Sequence, residues 1–242
     1  MKKSLVIIPT FNEKENIAKI IQAVFELTIP FDVLIVDDGS PDGTAEIVKE
    51  KQHDYSDRLF LIQRQGKQGL GTAYITGFHW GLDQGYHFIF EMDADFSHNP
   101  KDLVSLCQAL ESGADLVVGS RYVKGGRVEN WPWDRIILSF GASLYTRMIT
   151  WMPVKDPTAG FVGYRDVVLE AIPLDKIRFV GYAFQIEMKF SAYLRSFRIK
   201  EIPITFVDRV EGISKLSSGI IHEAVFGVLR MRLKSLFGSY PD

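Results

Sequence analysis

Short aliphatic runs, each followed at once by a polar or glycine-rich loop, recur through the first half of the chain and constrain its fold more than any other feature. Five such runs have the length and composition of strands: residues 5–8, 33–36, 58–62, 88–92 and 116–119. Segments with helical periodicity alternate with them: residues 17–27, 44–51, 71–81 and 102–111. Because strands that alternate with helices form parallel sheets covered by helices, the sequence predicts an α/β fold with a mostly parallel sheet.

Length, charge and cysteine content narrow the class further. With 242 residues and no repeat, linker or low-complexity tract, the chain is predicted to form a single domain. A net charge of -2 provides no basic field for nucleic acid. The single cysteine, Cys107, excludes an intramolecular disulfide. No apolar stretch reaches the roughly 20 residues that span a bilayer, so we expect a cytoplasmic protein whose membrane contact is peripheral.

A polar loop follows each predicted strand, and these loops are predicted to meet in space. They comprise residues 10–13, 37–40, 66–69, 93–95 and 120–122. In open α/β sheets, ligands bind in the crevice beyond the carboxyl ends of the strands. Five polar loops on that edge therefore predict a ligand site before any family is considered.

Asp93 and Asp95 are the best candidates for metal ligands. They stand two residues apart at a strand end, so both side chains can project to the same side. Two carboxylates in this position suit Mg²⁺ or Mn²⁺, which typically bridge to substrate phosphates. The alternative is that they only cap the next helix, but Asn99 and Pro100 supply that start signal separately.

Two other loops are less specific on their own. In residues 37–44 a carboxylate could accept hydrogen bonds from a base or ribose, and Asp42 or Thr44 could equally be a plain helix cap. The glycines of residues 66–71 do not have the dinucleotide-binding spacing, although a glycine-rich loop that opens a helix can approach a phosphate, with Lys67 adding charge.

The complete set of loops resembles the inverting glycosyltransferases of GT-A type, and more narrowly the dolichol-phosphate (polyprenol-phosphate) mannose synthases of glycosyltransferase family 2. The resemblance runs in order from about residue 5 to residue 216. It is carried by the segments IIPTFNEKENI, VDDGSPDGT, GLGTAY, MDADFSHNP, GSRYVKGGRVENWP, DPTAGF and DRVEGISKL. DAD alone is modestly specific, whereas its combination with GSRYVKGG, ENWP and RVEGISK is highly specific.

The resemblance implies a Rossmann-like GT-A fold and an enzyme that transfers mannose from GDP-mannose. It divides the single domain, 1–242, into a nucleotide-sugar-binding half (1–122), an acceptor-binding half (123–218) and an amphipathic C-terminal helix (219–242). It implies that Asp95, Arg121 and Arg209 are catalytic. The residues that it implies for donor binding are Pro9, Phe11, Glu13, Val36, Asp38, Asp93, Ala94, Asp95, Arg121, Arg209 and Lys215.

Two positions depart from the family pattern. Phe11 stands where the family often has tyrosine, which removes one hydroxyl donor. Ser97 stands where some members place a glutamine ligand to the metal. The resemblance therefore implies Asp93 and Asp95 as metal ligands, and it leaves open whether Ser97 or a water is the third ligand.

The acceptor that the resemblance implies is a polyprenyl or dolichyl monophosphate. A phosphate monoester is already ionised near neutral pH, so it can attack the anomeric carbon without a general base. The protein then has to align the reactants and stabilise charge. Guanidinium groups suit bidentate phosphate contacts. The residues expected at the acceptor phosphate are Arg121, Arg135, Arg209 and Ser214.

Two apolar segments could accommodate the lipid. Residues 135–152 are strongly apolar, with Trp131, Trp133 and Trp151 around them, which is typical of an amphipathic helix at a membrane interface and equally of a core helix. Residues 219–237 mix aliphatic and basic side chains and could lie at the interface, dock a partner or pack on the sheet. The chain ends at residue 242, so we expect peripheral binding at the cytoplasmic face or anchoring by another subunit.

Three alternatives compete with this interpretation. The same fold could use another donor and acceptor, such as UDP-glucose and undecaprenyl phosphate. A nucleotidyltransferase would carry a glycine-rich loop with basic residues after its first strand, whereas residues 9–13 contain neither glycine nor a base. A non-catalytic binding module would keep the pocket without turnover.

Overall fold

The computed structural model describes residues 2–208, 218–238 and 240. Its main element is a seven-stranded sheet in the order β3-β2-β1-β4-β7-β5-β8. The strands of this sheet are β1 Ser4–Thr10, β2 Asp32–Asp37, β3 Leu59–Gln63, β4 Phe88–Glu91, β5 Leu116–Ser120, β7 Val162–Arg165 and β8 Ile199–Pro203. All run parallel except β7, which is antiparallel to both neighbours. Two further strands, β6 Arg127–Glu129 and β9 Thr205–Val207, form a separate parallel pair.

Helices cover both faces of the large sheet. They are α1 Ile17–Phe25, α2 Thr44–Gln52, α3 Leu70–Asp83, α4 Asp102–Glu111, α5 Trp133–Thr150, α6 Asp166–Ala171, α7 Tyr182–Leu194 and α8 Ser218–Leu236, with a short 3₁₀ helix at Leu174–Lys176. One hydrophobic cluster joins the sheet to α1, α2 and α4, and a second joins it to α3, α6 and α7. The predicted α/β class with a mostly parallel sheet is confirmed.

Burial on both faces explains why the first five strands could be read from aliphatic runs. In β1, Val6 and Ile8 belong to one hydrophobic cluster while Leu5 and Ile7 belong to the other. A strand that is buried on both faces needs apolar residues at every position, so its sequence is a continuous run. Helix α3 approaches β1 closely because a Cβ on Gly77 would lie 2.7 Å from Ile7.

The second half contains elements that the sequence did not predict. Strand β7 lies between β4 and β5 and returns against both. Gly163 allows this insertion, because a Cβ at that position would lie 2.7 Å from the Phe90 ring. The β6–β9 pair is only three residues long and joins segments that lie far apart along the chain.

Helices α5 and α8 pack against each other, and α8 also packs against α7. Helix α5 buries only small hydroxyl-bearing residues: Ser143, Thr146 and Thr150. Tyr145 and Ile149 pack partly against a hydrophobic cluster from α7 and α8, whereas other apolar side chains are exposed, among them Ile137 and Met148 at 70% and 60%. Among the described residues, no helix is long and apolar enough to cross a membrane.

Candidate active site

The loops after β1 and β2 are tied together by hydrogen bonds at the carboxyl edge of the sheet. Asp37 is fully buried, and its Oδ1 accepts hydrogen bonds from Thr10 Oγ1 at 2.8 Å and from Ser40 Oγ at 2.6 Å. Ser40 Oγ in turn accepts a hydrogen bond from the backbone N–H of Asn12 at 3.0 Å. This part of the aspartate-rich loop therefore has a structural role.

Asp42 and Thr44 connect the same two loops further out. Asp42 Oδ1 accepts a hydrogen bond at 3.0 Å from the backbone N–H of Thr44, the first residue of α2. Its Oδ2 also accepts from the backbone N–H of Lys14 at 3.1 Å, and Thr44 Oγ1 accepts from the N–H of Glu13 at 3.0 Å. Both residues thus fix the loop that carries Phe11 and Glu13, and neither is the N-cap of α2, which is Gly43.

Asp38 is nearly buried and organises the glycine-rich loop after β3. Arg64 Nε donates to its Oδ1 at 2.6 Å, and the backbone N–H of Gln68 donates to its Oδ2 at 3.2 Å. Arg64 also donates from Nη1 to Thr72 Oγ1 at 2.9 Å. Gly39 makes this packing possible, because a Cβ there would lie 3.0 Å from the backbone nitrogen of Gly66.

The remaining residues predicted for the nucleotide pocket lie on both sides of this loop. Phe11 is half-buried, with Lys67 Nζ 5.3 Å from the centre of its ring. Pro9 is paired in register with Val36 across β1 and β2. Val36 is fully buried within the core, so its side chain cannot reach a ligand and a nucleotide contact would use its backbone.

Asp93 and Asp95 follow β4 at the predicted edge, and both are half-buried, while Ala94 between them is buried. Tyr74 Oη lies 3.5 Å from Asp93 Oδ1. Asp95 Oδ1 accepts a hydrogen bond from the backbone N–H of Ser97 at 3.0 Å. The two carboxylates are therefore partly exposed, while the buried Ala94 and the hydrogen bond to Asp95 hold the loop in place.

Ser97 and His98 place two buried polar atoms beside these carboxylates. Within the described part of the chain, Ser97 Oγ and His98 Nδ1 have no hydrogen-bond partner. His98 Nδ1 lies 3.9 Å from Asp93 Oδ2, and the imidazole stacks on Phe161 with ring centres 4.9 Å apart. Burial lowers the pKa of His98 to about 4, so the imidazole is neutral at physiological pH.

These donors fit a hard divalent cation bound together with a diphosphate. Buried polar atoms are normally hydrogen-bonded, so two such atoms without a partner beside two carboxylates indicate a polar occupant. No group of three or more His, Cys, Asp or Glu side chains among the described residues could hold a metal. Asp93 and Asp95 would therefore be the charged ligands, with Ser97 Oγ, waters and substrate oxygens available to complete the shell.

Arg121 lies after β5 and is bound to a buried carboxylate. Its Nε and Nη2 donate to Asp156 Oδ2 and Oδ1 at 2.7 and 2.6 Å, and its backbone N–H donates to Oδ2 at 2.9 Å. Nη2 also donates to Thr158 Oγ1 at 2.9 Å. Asp156 is fully buried, so the orientation of the guanidinium is fixed by a pairing that sequence reasoning missed, although Asp156 opens the DPTAGF segment.

Aromatic rings surround the Arg121 guanidinium and connect it to the metal loop. The ring centres of Tyr122, Trp131 and Phe206 lie 5.2, 5.5 and 5.6 Å from its Cζ. The Phe206 ring also meets His98 edge-on at 5.3 Å. The predicted donor side and the predicted acceptor side are thus in contact through His98 and Phe206.

Arg135 lies in the first turn of α5 and is partly exposed. Its Cζ lies 4.1 Å above the Trp131 ring, and Nη1 donates to both oxygens of Asp208 at 2.8 Å. Asp208 directly precedes a stretch outside the described residues, 209–217, which contains three of the predicted site residues: Arg209, Ser214 and Lys215.

Comparison with known proteins agrees with this arrangement. The sequence profile of glycosyl transferase family 2 matches residues 5–172. A polyprenol monophosphomannose synthase from Mycolicibacterium smegmatis is 46% identical over 94% of this chain and 86% of its own length. An undecaprenyl-phosphate mannosyltransferase from Micrococcus luteus is 45% identical over 95% of this chain and 93% of its own length.

A solved structure supports the fold. The mannosyltransferase from Pyrobaculum calidifontis in complex with GDP-Man and Mn²⁺ superposes with a TM-score of 0.62 at 16% identity, covering 98% of this chain and 64% of that one. The predicted GT-A-like architecture is therefore confirmed, and the nucleotidyltransferase and binding-module alternatives are set aside. The chain belongs to glycosyl transferase family 2.

Proposed function

We propose that the protein transfers mannose from GDP-mannose to a polyprenyl or dolichyl monophosphate, with inversion at the anomeric carbon. The observation that carries the proposal is the chain of contacts from the Asp93–Asp95 loop to Arg121. His98 lies beside Asp93, and the Phe206 ring contacts both His98 and the Arg121 guanidinium. The near full-length similarity to two mannosyltransferases with polyprenol or undecaprenyl phosphate in their names supports the sugar and the acceptor. The GDP-Man and Mn²⁺ of the structural neighbour support the donor and a divalent metal.

One set of residues would act on the leaving group and another on the nucleophile. Asp93 and Asp95 would hold Mg²⁺ or Mn²⁺, which neutralises the charge that develops on a departing nucleoside diphosphate. The acceptor phosphate is ionised near neutral pH, so its oxygen attacks the anomeric carbon without a general base. Arg121 and Arg135, with Arg209 and Ser214, would hold that phosphate in line with the leaving group. The donor-binding half, residues 1–122, and the acceptor-binding half, residues 123–218, would then meet at Arg121.

We expect the purified protein to transfer radiolabel from GDP-mannose, and not from UDP-glucose, into the organic phase when Mn²⁺ and a polyprenyl phosphate are present. The bound metal supplies the charge neutralisation, so EDTA should abolish transfer and excess Mn²⁺ or Mg²⁺ should restore it. Label that enters the organic phase only from UDP-glucose would contradict the donor assignment. Equal transfer with and without EDTA would contradict the metal dependence.

Helices α5 and α8 provide the surface that we propose for peripheral membrane binding. Apolar residues are normally the ones a surface helix buries, whereas the fully buried residues of α5 are three hydroxyl-bearing ones and most of its large apolar side chains are exposed. The guanidinium of Arg232 in α8 stacks on Trp151 at 4.3 Å, beside the end of α5. Tryptophan and arginine beside an exposed apolar face are typical of a helix in the headgroup region of a bilayer.

This surface carries many large exposed apolar side chains. Its exposed apolar residues are Trp133, Ile137, Leu138, Phe140, Leu144, Met148 and Trp151 around α5, and Phe226, Leu229, Leu233, Leu236 and Phe237 around α8. Contiguous apolar patches on soluble proteins mark membrane or protein contacts. We propose the cytoplasmic face of a membrane as the occupant, which brings Arg135, in the first turn of α5, close to a lipid-linked phosphate. A membrane-anchoring subunit on the same surface is the alternative.

Ile137→Glu is expected to weaken binding to phospholipid vesicles at least tenfold. The substitution removes an aliphatic side chain whose insertion is worth about 2 kcal/mol and places a charge in the apolar face. Sedimentation with vesicles of phosphatidylcholine and phosphatidylglycerol measures the binding. Val167→Glu is the matched control, because Val167 is an exposed aliphatic residue on α6. A wild-type chain that does not sediment with vesicles would favour the anchoring subunit instead.

A further inference from the structure

Helix α7 carries a lysine that is completely buried and fully hydrogen-bonded. Lys189 Nζ donates to Ala159 O at 2.7 Å, and to Gln185 O and Gln185 Oε1 at 3.1 Å each. An ammonium group has three donors, so all of them are used. Burial lowers the pKa of Lys189 to about 8.

A buried carboxylate lies at the other end of the same hydrogen-bond network. Glu91 ends β4, two residues before Asp93, and is fully buried. Gln185 Nε2 donates to Glu91 Oε2, and Tyr164 Oη donates to Glu91 Oε1 at 3.1 Å. The Gln185 amide therefore lies between the ammonium and the carboxyl group, with its oxygen toward Lys189 and its nitrogen toward Glu91.

The lysine also holds the loop that orients Arg121. Ala159 belongs to the segment 155–160, in which Asp156 and Thr158 bind the Arg121 guanidinium. Glu201 in β8 fixes the start of this segment by accepting hydrogen bonds from the backbone N–H groups of Lys155 and Asp156 at 2.7 and 2.9 Å. Lys189 fixes its other end through the Ala159 carbonyl.

We propose that Lys189 is a positioning residue for Arg121. It holds the Asp156 loop through the Ala159 carbonyl and connects that loop, through Gln185 and Glu91, to β4, the strand that precedes Asp93. The inference rests on the proposed function for its readout, because Arg121 is assigned to the acceptor phosphate. Taking two charges out of water costs free energy that an apolar pair would not, so stability alone is a weak reason for a buried lysine and glutamate at this place. Their hydrogen bonds instead join the donor side of the site to its acceptor side.

A stability role and a positioning role can be separated by removing one charge or both. Burial raises the pKa of Glu91 to about 7, and the nearby Lys189 cation opposes that rise. Lys189→Met removes this cation and leaves Ala159 O and Gln185 Oε1 without their donor, so the variant is expected to unfold at a lower temperature than the wild type. Adding Glu91→Gln removes the second charge, and the double variant is expected to regain most of the lost thermal stability. Neither variant can hold the Ala159 carbonyl, so the Asp156 loop stays without that contact in both.

Steady-state kinetics of the double variant with GDP-mannose and a polyprenyl phosphate test the proposal. We expect the KM for the acceptor to rise at least tenfold while the KM for GDP-mannose stays within twofold of the wild-type value. Lys176→Met, at an exposed lysine, is the control and should change neither. An unchanged acceptor KM in a stably folded double variant would overturn the positioning role, as would an equal rise in both KM values. A wild-type chain without mannosyl transfer would overturn the proposed function and this inference with it.

Discussion

Asp95→Asn is expected to lower kcat/KM for mannosyl transfer by about three orders of magnitude while the protein remains folded. A divalent metal supplies several kcal/mol of charge stabilisation to a departing diphosphate, and each 1.4 kcal/mol is a factor of ten in rate. The amide keeps an oxygen that can accept the hydrogen bond from the Ser97 backbone N–H, at 3.0 Å in the wild type, so the loop should hold its shape. The asparagine cannot supply the negative charge that binds the metal.

The control for this variant is another aspartate in an exposed position. Asp54 pairs with Lys51 at 3.0 Å on the surface, and Asp54→Asn should leave the rate unchanged. Circular dichroism and thermal unfolding check that Asp95→Asn is folded, and the labelled-donor assay measures its rate. If Asp95→Asn keeps more than a tenth of wild-type activity, the metal role of Asp95 is wrong.

The part of the site that the sequence predicts well is local. The sequence predicts Asp93 and Asp95 because they directly follow a buried strand, so that strand, loop and carboxylates are contiguous in the chain. The same is true of the loops after β1 and β2, whose position follows from parallel strands ending at one edge. Continuous aliphatic runs predict such strands because both faces of the sheet are covered.

The part that the sequence does not predict depends on pairs of side chains far apart in the chain. The resemblance predicts Arg121 as a phosphate ligand, but its partner Asp156 is 35 residues away. No pattern in either segment indicates that the two side chains pair. Gln185 and Glu91 are 94 residues apart. The contact between Gln185 and Glu91 exists only because α7 packs on the sheet, and the spacing of residues in the sequence does not reveal it.

Helix α5 illustrates a third case, in which composition allows two interpretations. Its residues are apolar enough for a core helix or an interfacial one, and periodicity alone does not say which side faces the protein. The structure buries Ser143, Thr146 and Thr150 and exposes Ile137 and Met148. The core-helix alternative is therefore wrong for this face of α5, and its exposed side supports the proposed membrane contact.

Arg121→Met is expected to reduce both stability and turnover, and Asp156 allows the two effects to be separated. Asp156 is fully buried, so removing the guanidinium leaves its carboxylate without a cation and should lower the free energy of unfolding by about 3–5 kcal/mol. Arg198→Met is the control, since that arginine is 69% exposed in its pair with Asp115 and its loss should cost below about 1 kcal/mol. Denaturant unfolding measures both variants.

Combining Arg121→Met with Asp156→Asn removes the buried charge together with its partner. The double variant should regain most of the stability, because a neutral amide can remain hydrogen-bonded to the backbone N–H of residue 121 without a net charge. Its turnover should nevertheless stay at least a hundredfold below wild type, since the Arg121 guanidinium is lost from the groups that would hold the acceptor phosphate against the sugar. A double variant that recovers both stability and turnover would show that Arg121 only balances the charge of Asp156, and the acceptor phosphate would then have to be held by other cations.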